Sequence, residues 1–159
     1  MNATVKPVPE GYTTVTPYLI LSDAKKAMAF YTQAFGAQEL FKMVQDDGRV
    51  GHAEMQIGNA RIMLADEFPE IGARAPTTIG GTPVSFMLYV EDVDAVAARA
   101  VAAGGTLKHA VEDKFYGDRM GAVVDPFGHV WHVATHVEDV SPEELKRRSA
   151  AAQKTPQKG

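Results

Sequence analysis

The chain repeats itself. The segment "YLILSDAKKAMAFYTQAFGAQEL" begins at Tyr18, and "MLYVEDVDAVAARAVAAGGTL" begins at Met87. Each runs from an apolar strand through an aspartate into an amphipathic helix, and leaves it through glycine. Asp23 to Asp92 and Gly36 to Gly105 span the same 69 positions. An offset held at both ends of a helix marks an internal repeat, so the two copies must share one order of elements.

The limits of each copy follow from local chemistry. Ser22 or Asp23 caps the first helix by accepting a bond from an unpaired N–H of the opening turn, and Gly36 ends it by taking the left-handed conformation without strain. Ala27, Phe30, Tyr31 and Ala34 fall on one helical face. The second helix, about Val93 to Ala103, is alanine-rich and ends at Gly104-Gly105, so it packs close to a sheet. Three strand candidates follow each helix: "AQELFKMV", "VGHAEMQIG" and "ARIMLAD", then "GTLKHAV", "RMGAVVD" and "HVWHVAT", with turns at "DDG", "GN" and "PFG". Each copy therefore reads β-α-β-β-β, in the α+β class. Module one covers residues 14–66 and module two residues 84–137, within a single domain over 14–137.

Residues 1–13 form an N-terminal extension. Residues 67–83, rich in Gly, Pro and Thr, read as a linker or mobile loop. Beyond 137, Ser141 as N-cap, Pro142 at the first helical position and Glu144 completing a capping box predict a helix to Ala152, packed on the body or on a partner chain. The rest of the 138–159 segment, "QKTPQKG", is expected to be disordered.

Composition removes several classes of function. There is no cysteine, which excludes disulfides, thiolate zinc sites and cysteine nucleophiles. A net charge of −4 with scattered basic residues gives no footprint for nucleic acid. No apolar run approaches the ~20 residues of a membrane helix, and the first fifteen residues lack a signal-peptide core, so a cytoplasmic protein is expected. Phosphate-loop, nucleophile-elbow and dinucleotide motifs do not occur.

Two such copies, with an "Asp…Phe-Tyr…Phe-Gly" helix and a "D-P-x-G-H" hairpin, resemble the vicinal oxygen chelate superfamily, which includes glyoxalase I, bleomycin-resistance proteins, extradiol dioxygenases and fosfomycin-resistance enzymes. The stretches "TPYL", "AFYTQAFGA", "YGDRMGAVVDPFGHVWHVATH" and "EDVSPEE" look most like its PhnB-like branch. The resemblance spans roughly Thr14 to Arg148. It implies two βαβββ modules forming a curved mixed sheet around a cavity (the glyoxalase/bleomycin-resistance/dioxygenase fold), and a twofold homodimer that pairs or exchanges modules. Metal-dependent relatives carry ligands at the positions matching Thr16, Met63, Ser85 and His132, of which only His132 has a metal-binding side chain. The resemblance thus implies no metal cofactor here.

Strand alternation sorts the remaining candidates. In "HVWHVATH", His132 and His136 share one face and His129 takes the other, while Trp131 packs against a helix, a contact whose loss typically costs ~3–5 kcal/mol. His132 is either a polar cavity wall or a catalytic base. His52, Glu54 and Gln56 alternate with apolar residues; Glu54 is either solvated or a candidate general base with a raised pKa. With His132, His52 and Glu54 are the only route to a three-ligand metal site. Thr16, Tyr18, Ser85, Met87, Tyr89, Arg61 and Met63 complete a mixed aromatic, thioether and hydroxyl lining suited to a flat, partly apolar small molecule. Phe115 and Tyr116 are placed to cover its mouth, and Arg119 either holds an anionic group or pairs with Asp118 or Asp125. The leading expectation is a metal-free small-molecule-binding protein, by sequestration or with an unidentified activity. The alternatives are a divalent-metal lyase or isomerase of the glyoxalase type, and a protein-interaction module using the C-terminal helix.

Overall fold

The computed structural model describes residues 4–154. Its elements are β1 (Tyr18–Leu21), α1 (Ala24–Phe35), β2 (Gln38–Val44), β3 (Val50–Ile57), β4 (Ala60–Asp66), a 3-10 turn (Pro69–Ile71), α2 (Pro76–Ile79), β5 (Ser85–Tyr89), α3 (Val93–Ala102), β6 (Thr106–Asp113), β7 (Asp118–Val124), β8 (Val130–His136) and α4 (Pro142–Gln153). They form two compact units, one reaching to Pro83 and including Pro126–His129, the other made of Val84–Asp125 and the chain from Val130. Each unit holds one four-stranded mixed sheet, ordered β1-β4-β3-β2 and β5-β8-β7-β6.

The repeat extends to the register. The first strand of each unit runs parallel to the last, and the remaining neighbours are antiparallel. Tyr18 stands opposite Met63 and Met87 opposite His132, again 69 positions apart. Asp23 and Asp92 cap α1 and α3, accepting from Lys26 N and Ala95 N at 3.0 Å. Gly36, at φ 68°, closes α1 in the left-handed conformation.

A second cap comes from the end of each last strand. The Asp66 carboxylate accepts from Ala24 N and from Val50 N, both at 2.6 Å, tying helix start to strand start. Its repeat equivalent, Thr135, accepts from Val93 N at 3.0 Å and donates to the Val90 carbonyl at 2.9 Å.

One helix covers one face of each sheet. In the first unit Leu19, Leu21, Met55 and Leu64 are buried with Phe30 and Tyr31 of α1; in the second, Val123, Trp131 and Val133 are buried with Val93, Val96 and Ala100 of α3. The Trp131 ring lies 4.8 Å from that of Phe86, and its Nε1–H donates to Asp125 at 3.0 Å. His129 in the β7–β8 turn is buried, with Nε2 2.9 Å from the Ile20 carbonyl.

Two expectations are corrected. Residues 67–83, expected as an aperiodic linker or mobile loop, contain short helical structure of their own. Pro69 and Pro76 start short helical turns, Phe68 and Ala73 exchange backbone hydrogen bonds, and the Glu67 carboxylate accepts from Ala75 N at 2.6 Å. The Arg49 guanidinium sits 4.0 Å from the centre of the Phe68 ring, which pins the start of the segment to its own unit.

The capping box of α4 is only half formed. Ser141 Oγ accepts from Glu144 N, but the Glu144 carboxylate turns forward to Arg147 and Arg148, which hold its pKa down to about 2. Arg148 in turn grips Glu138 and the Phe115 carbonyl, fastening α4 to the second unit. Leu145 is the one large apolar side chain that α4 exposes among the described residues, so this helix offers no apolar docking stripe. Of the C-terminal stretch expected to be disordered, residues 155–159 lie outside the described residues.

Charge separates the two strand-end caps. Removing a carboxylate that serves two N–H groups costs more than removing a neutral hydroxyl. Asp66→Ala is expected to lower unfolding free energy by about 3 kcal/mol and Thr135→Ala by about 1–2 kcal/mol, measured by urea titration. Equal losses would show that the shared carboxylate adds nothing beyond a cap.

Candidate functional site

The helix-free face of each sheet gathers most of the candidate side chains. In the first unit, register places Tyr18 opposite Met63, Met63 opposite Glu54, and Gln56 opposite Arg61. His52 lies on the same face of β3, between the buried pair Val50 and Ala53. Phe41 stands opposite Glu54 and Met43 opposite His52, extending this face onto β2.

These side chains are connected. Tyr18 Oη lies 2.8 Å from His52 Nδ1, and His52 Nε2 lies 3.1 Å from Glu54 Oε1. The buried Tyr12 hydroxyl makes no hydrogen bond of good geometry among the described residues, yet it faces Glu54 and is the strongest influence lowering that carboxyl's pKa, followed by His52. Glu54 is therefore held below the usual carboxylate range. The raised pKa expected of a general base is not what its surroundings produce. The Tyr18 hydroxyl is pushed up by burial and by the Glu54 charge.

Arg61 closes one end of this face. Its guanidinium packs 4.9 Å from the centre of the Tyr12 ring, donates to Gln56 Oε1 at 3.1 Å and reaches the Glu10 carbonyl at 3.1 Å. Gly11 lies so close to this guanidinium that a Cβ there would overlap it. The N-terminal extension thus contributes to the face, which its composition did not signal.

The second unit's open face is built differently. Ser85, Met87 and Tyr89 are exposed on β5, and register sets Met87 beside His132, and His132 beside Ala122. His132 Nδ1 is shielded from solvent and finds no hydrogen-bond partner among the described residues. Tyr89 Oη donates to Asp118 at 3.0 Å, and the other Asp118 oxygen faces His136 Nδ1 at 2.7 Å. His136 Nε2 faces Asp139 at 2.8 Å. A depression of about 520 Å³ opens beside Tyr89, Glu91, Thr135 and His136. Tyr116 reaches back to the Met120 sulfur on this face, and Phe115 packs edge-on against Tyr116 while remaining exposed.

Arg119 is the candidate that the structure moves away. Asp118 and Met120, opposite His136 and Ala134, occupy the open face, so alternation turns Arg119 to the helix side. There it binds Asp94 of α3 at 2.7 and 2.9 Å and Asp113 at 3.2 Å, pairing with neither Asp118 nor Asp125. Phe41, Met43, Tyr12 and Asp118 join the faces without having been expected there, and His136, which alternation already puts on the face of His132, joins as the partner of Asp118. The "ELFKMV" strand concealed Phe41 and Met43, because apolar residues occupy both of its faces.

The donor set does not fit a resident metal ion. Of the four positions at which metal-dependent relatives carry ligands, Thr16 turns its hydroxyl to the Thr13 carbonyl, Met63 and Ser85 supply no strong ligand, and His132 stands alone. His52 and Glu54 spend their facing atoms on each other. No group of three His, Asp or Glu side chains that could hold an ion occurs among the described residues. Among those residues, too, no helix is long and apolar enough to cross a membrane.

Paired β-α-β-β-β units with one helix-covered and one open face define a class of proteins by their architecture. This chain belongs to the Glyoxalase/Bleomycin resistance protein/Dioxygenase superfamily, which matches residues 12–133. It is 42% identical over 135 residues to an uncharacterized protein of Mycobacterium tuberculosis (strain ATCC 25618 / H37Rv), covering 83% of this chain and 79% of that protein. It is similar in structure to TioX from Micromonospora sp. ML1, with TM-score 0.61 and 26% identity, covering 79% of this chain and 99% of that one. The PhnB protein from Bacillus cereus, described as a putative 3-demethylubiquinone-9 3-methyltransferase, shares the fold at TM-score 0.61 and 20% identity, covering 77% of this chain and 99% of that one.

His136 gives this region a pH dependence. With a carboxylate at each ring nitrogen, Asp118 the stronger influence, its pKa is raised. The stabilisation is complete below the unfolded value of about 6.5 and is lost as pH rises through the higher folded value. The melting-temperature difference between wild type and His136→Gln should be larger near pH ~6 than near pH ~8.5. A difference that grows with pH would contradict this.

Proposed function

We propose that this protein captures a small, flat, partly aromatic or apolar molecule on its open sheet faces without a resident metal ion, by sequestration or with an activity of its own. The observation that carries this reading is the exposure of large apolar side chains where a sheet needs only polar cover. Tyr18, Phe41, Met43, Met87 and Tyr89 are 48–60% exposed, interleaved with His52, Glu54 and His132. Exposed apolar surface of this kind marks a place where something binds. Thioethers and aromatic rings give such a surface pliability and a preference for flat ligands. Family membership supports a ligand-binding scaffold and leaves the ligand to the side chains.

The same exposure extends to the sheet edges. Every residue of β2 is exposed, and Leu40 and Val44 add apolar surface to its unpaired edge. A second copy of this chain is the partner that covers such edges in the proposed homodimer.

A thermal-shift and calorimetric screen of flat aromatic compounds, with and without zinc, nickel and manganese, tests the reading. A true ligand at 100 times its Kd stabilises by about 2.7 kcal/mol. His132→Ala should fold nearly normally and bind more weakly, and metal alone should have no effect. One metal per chain, lost in His132→Ala, would replace this reading with a metal-dependent one. Sedimentation in the same buffers should give a dimer at about 50 micromolar, in the range where weak dimers form; a monomer there would remove the partner.

A further inference from the structure

The hydrogen-bond order across Tyr18, His52 and Glu54 fixes where the protons sit. An ionised carboxylate only accepts, so the His52 Nε2 that faces Glu54 at 3.1 Å carries a hydrogen. The neutral ring then presents Nδ1 as an acceptor, and Tyr18 Oη at 2.8 Å donates to it. That leaves the lone pairs of the Tyr18 oxygen free for a donor outside the trio. Tyr18 is 49% exposed on the open face, and Phe41, also 49% exposed, lies with its ring centre 6.3 Å from that of His52. A flat molecule resting on Phe41 and Met43 has an acceptor beside it, backed by a base and a fixed negative charge.

We propose that Tyr18, His52 and Glu54 form a metal-free proton relay, which withdraws a proton from a flat, weakly acidic carbon or oxygen acid bound on this face. This rests on the binding reading given above and names its chemistry. The acid's X–H bond breaks and its proton passes to Tyr18 Oη. The phenolic proton passes at the same time to His52 Nδ1. The bonding electrons stay on the substrate as a carbanion, enolate or phenolate, and the imidazolium is balanced by the Glu54 carboxylate. No oxidant, reductant or metal enters the step. Because burial and the Glu54 charge disfavour a free tyrosinate, the two proton movements occur together. Tyr18 is the catalytic residue; His52 and Glu54 act through it as positioning residues.

The probe is 5-nitrobenzisoxazole, a flat carbon acid. Loss of its ring C–H proton breaks the N–O bond and gives a coloured cyanophenolate, and the imidazolium returns its proton to water. Wild type should open the ring with saturation, and Tyr18→Phe and His52→Gln should each lose about 10²-fold or more, as expected on removing general base catalysis. Lys146→Ala, on the exposed side of α4, should match wild type. Nitrogen-15 spectra of the ligand-free protein should show His52 protonated at Nε2, and Glu54→Gln should shift that tautomer balance and slow the reaction. Wild-type rates in Tyr18→Phe, or a His52 ring protonated at Nδ1 alone, would overturn the relay.

5-Nitrobenzimidazole, which has no N–O bond to break, separates the two proposals. Binding of this analogue without turnover of the probe overturns the relay and leaves the binding reading standing. Absence of both overturns the relay, and the compound screen then decides the binding reading separately.

Discussion

Each sheet has a single helix to bury, and that constraint orders everything else. A strand exposes side chains to its two faces in turn, so once α1 and α3 claim Leu19, Met55 and Leu64, or Val123, Trp131 and Val133, the intervening residues are committed to the opposite face. A slip of one residue would place Tyr18, His52 and Glu54 under the helix and expose the core. The caps guard against that slip. Asp66 binds the first helical N–H and the start of β3 together, and Thr135 anchors the corresponding end of the second unit. The geometry of the open faces is therefore secured by interactions that lie outside them.

Freed from packing, the open faces of the two repeats have diverged. The first holds a linked set of tyrosine, imidazole and carboxylate, with Arg61 and Tyr12 at its end. The second holds thioethers, a solvent-shielded His132 nitrogen without a partner among the described residues, and the Tyr89–Asp118–His136 set. The helix faces, by contrast, keep the same architecture down to the register of Leu19 with Leu64 and Leu88 with Val133. The core and most of the candidate side chains thus fall on opposite sides of the same strands.

This division decides what could be read from the residues. Helices α1 and α3, an acceptor at the start of α1 and all eight strands follow from periodicity and the repeat, because a covered face must be apolar and a cap must carry an acceptor, whereas the short α2 in the aperiodic 67–83 segment does not. Alternation also sorts His52, Glu54 and His132 onto one side of their strands. It does not say what a residue at a strand's start will pair with. The turn ahead of Arg119, with Phe115 and Tyr116, suggests either an anion holder or a pair with Asp118 or Asp125, whereas β7 begins at Asp118 and alternation sends Arg119 to Asp94. Tyr12 escaped because its contact with Arg61 joins residues far apart in sequence, which no local pattern records. The direction of the Glu54 shift also escaped, since it depends on the Tyr12 and His52 groups that happen to face it.

Methionines report directly on which side of the sheets is functional. Met43, Met63, Met87 and Met120 lie on the open faces, whereas Met28 of α1 and Met55 of β3 lie on the helix-covered side, beside a groove of about 390 Å³ that also includes Thr32 and Glu39. Methyl NMR of carbon-13-labelled methionine, with the strongest compound from the screen, distinguishes the two sides in one titration. Saturable shifts at Met63 or Met87, with Met28 and Met55 unmoved, are the predicted result. Shifts confined to Met28 and Met55 would place the ligand on the helix side and contradict the assignment of function to the open faces.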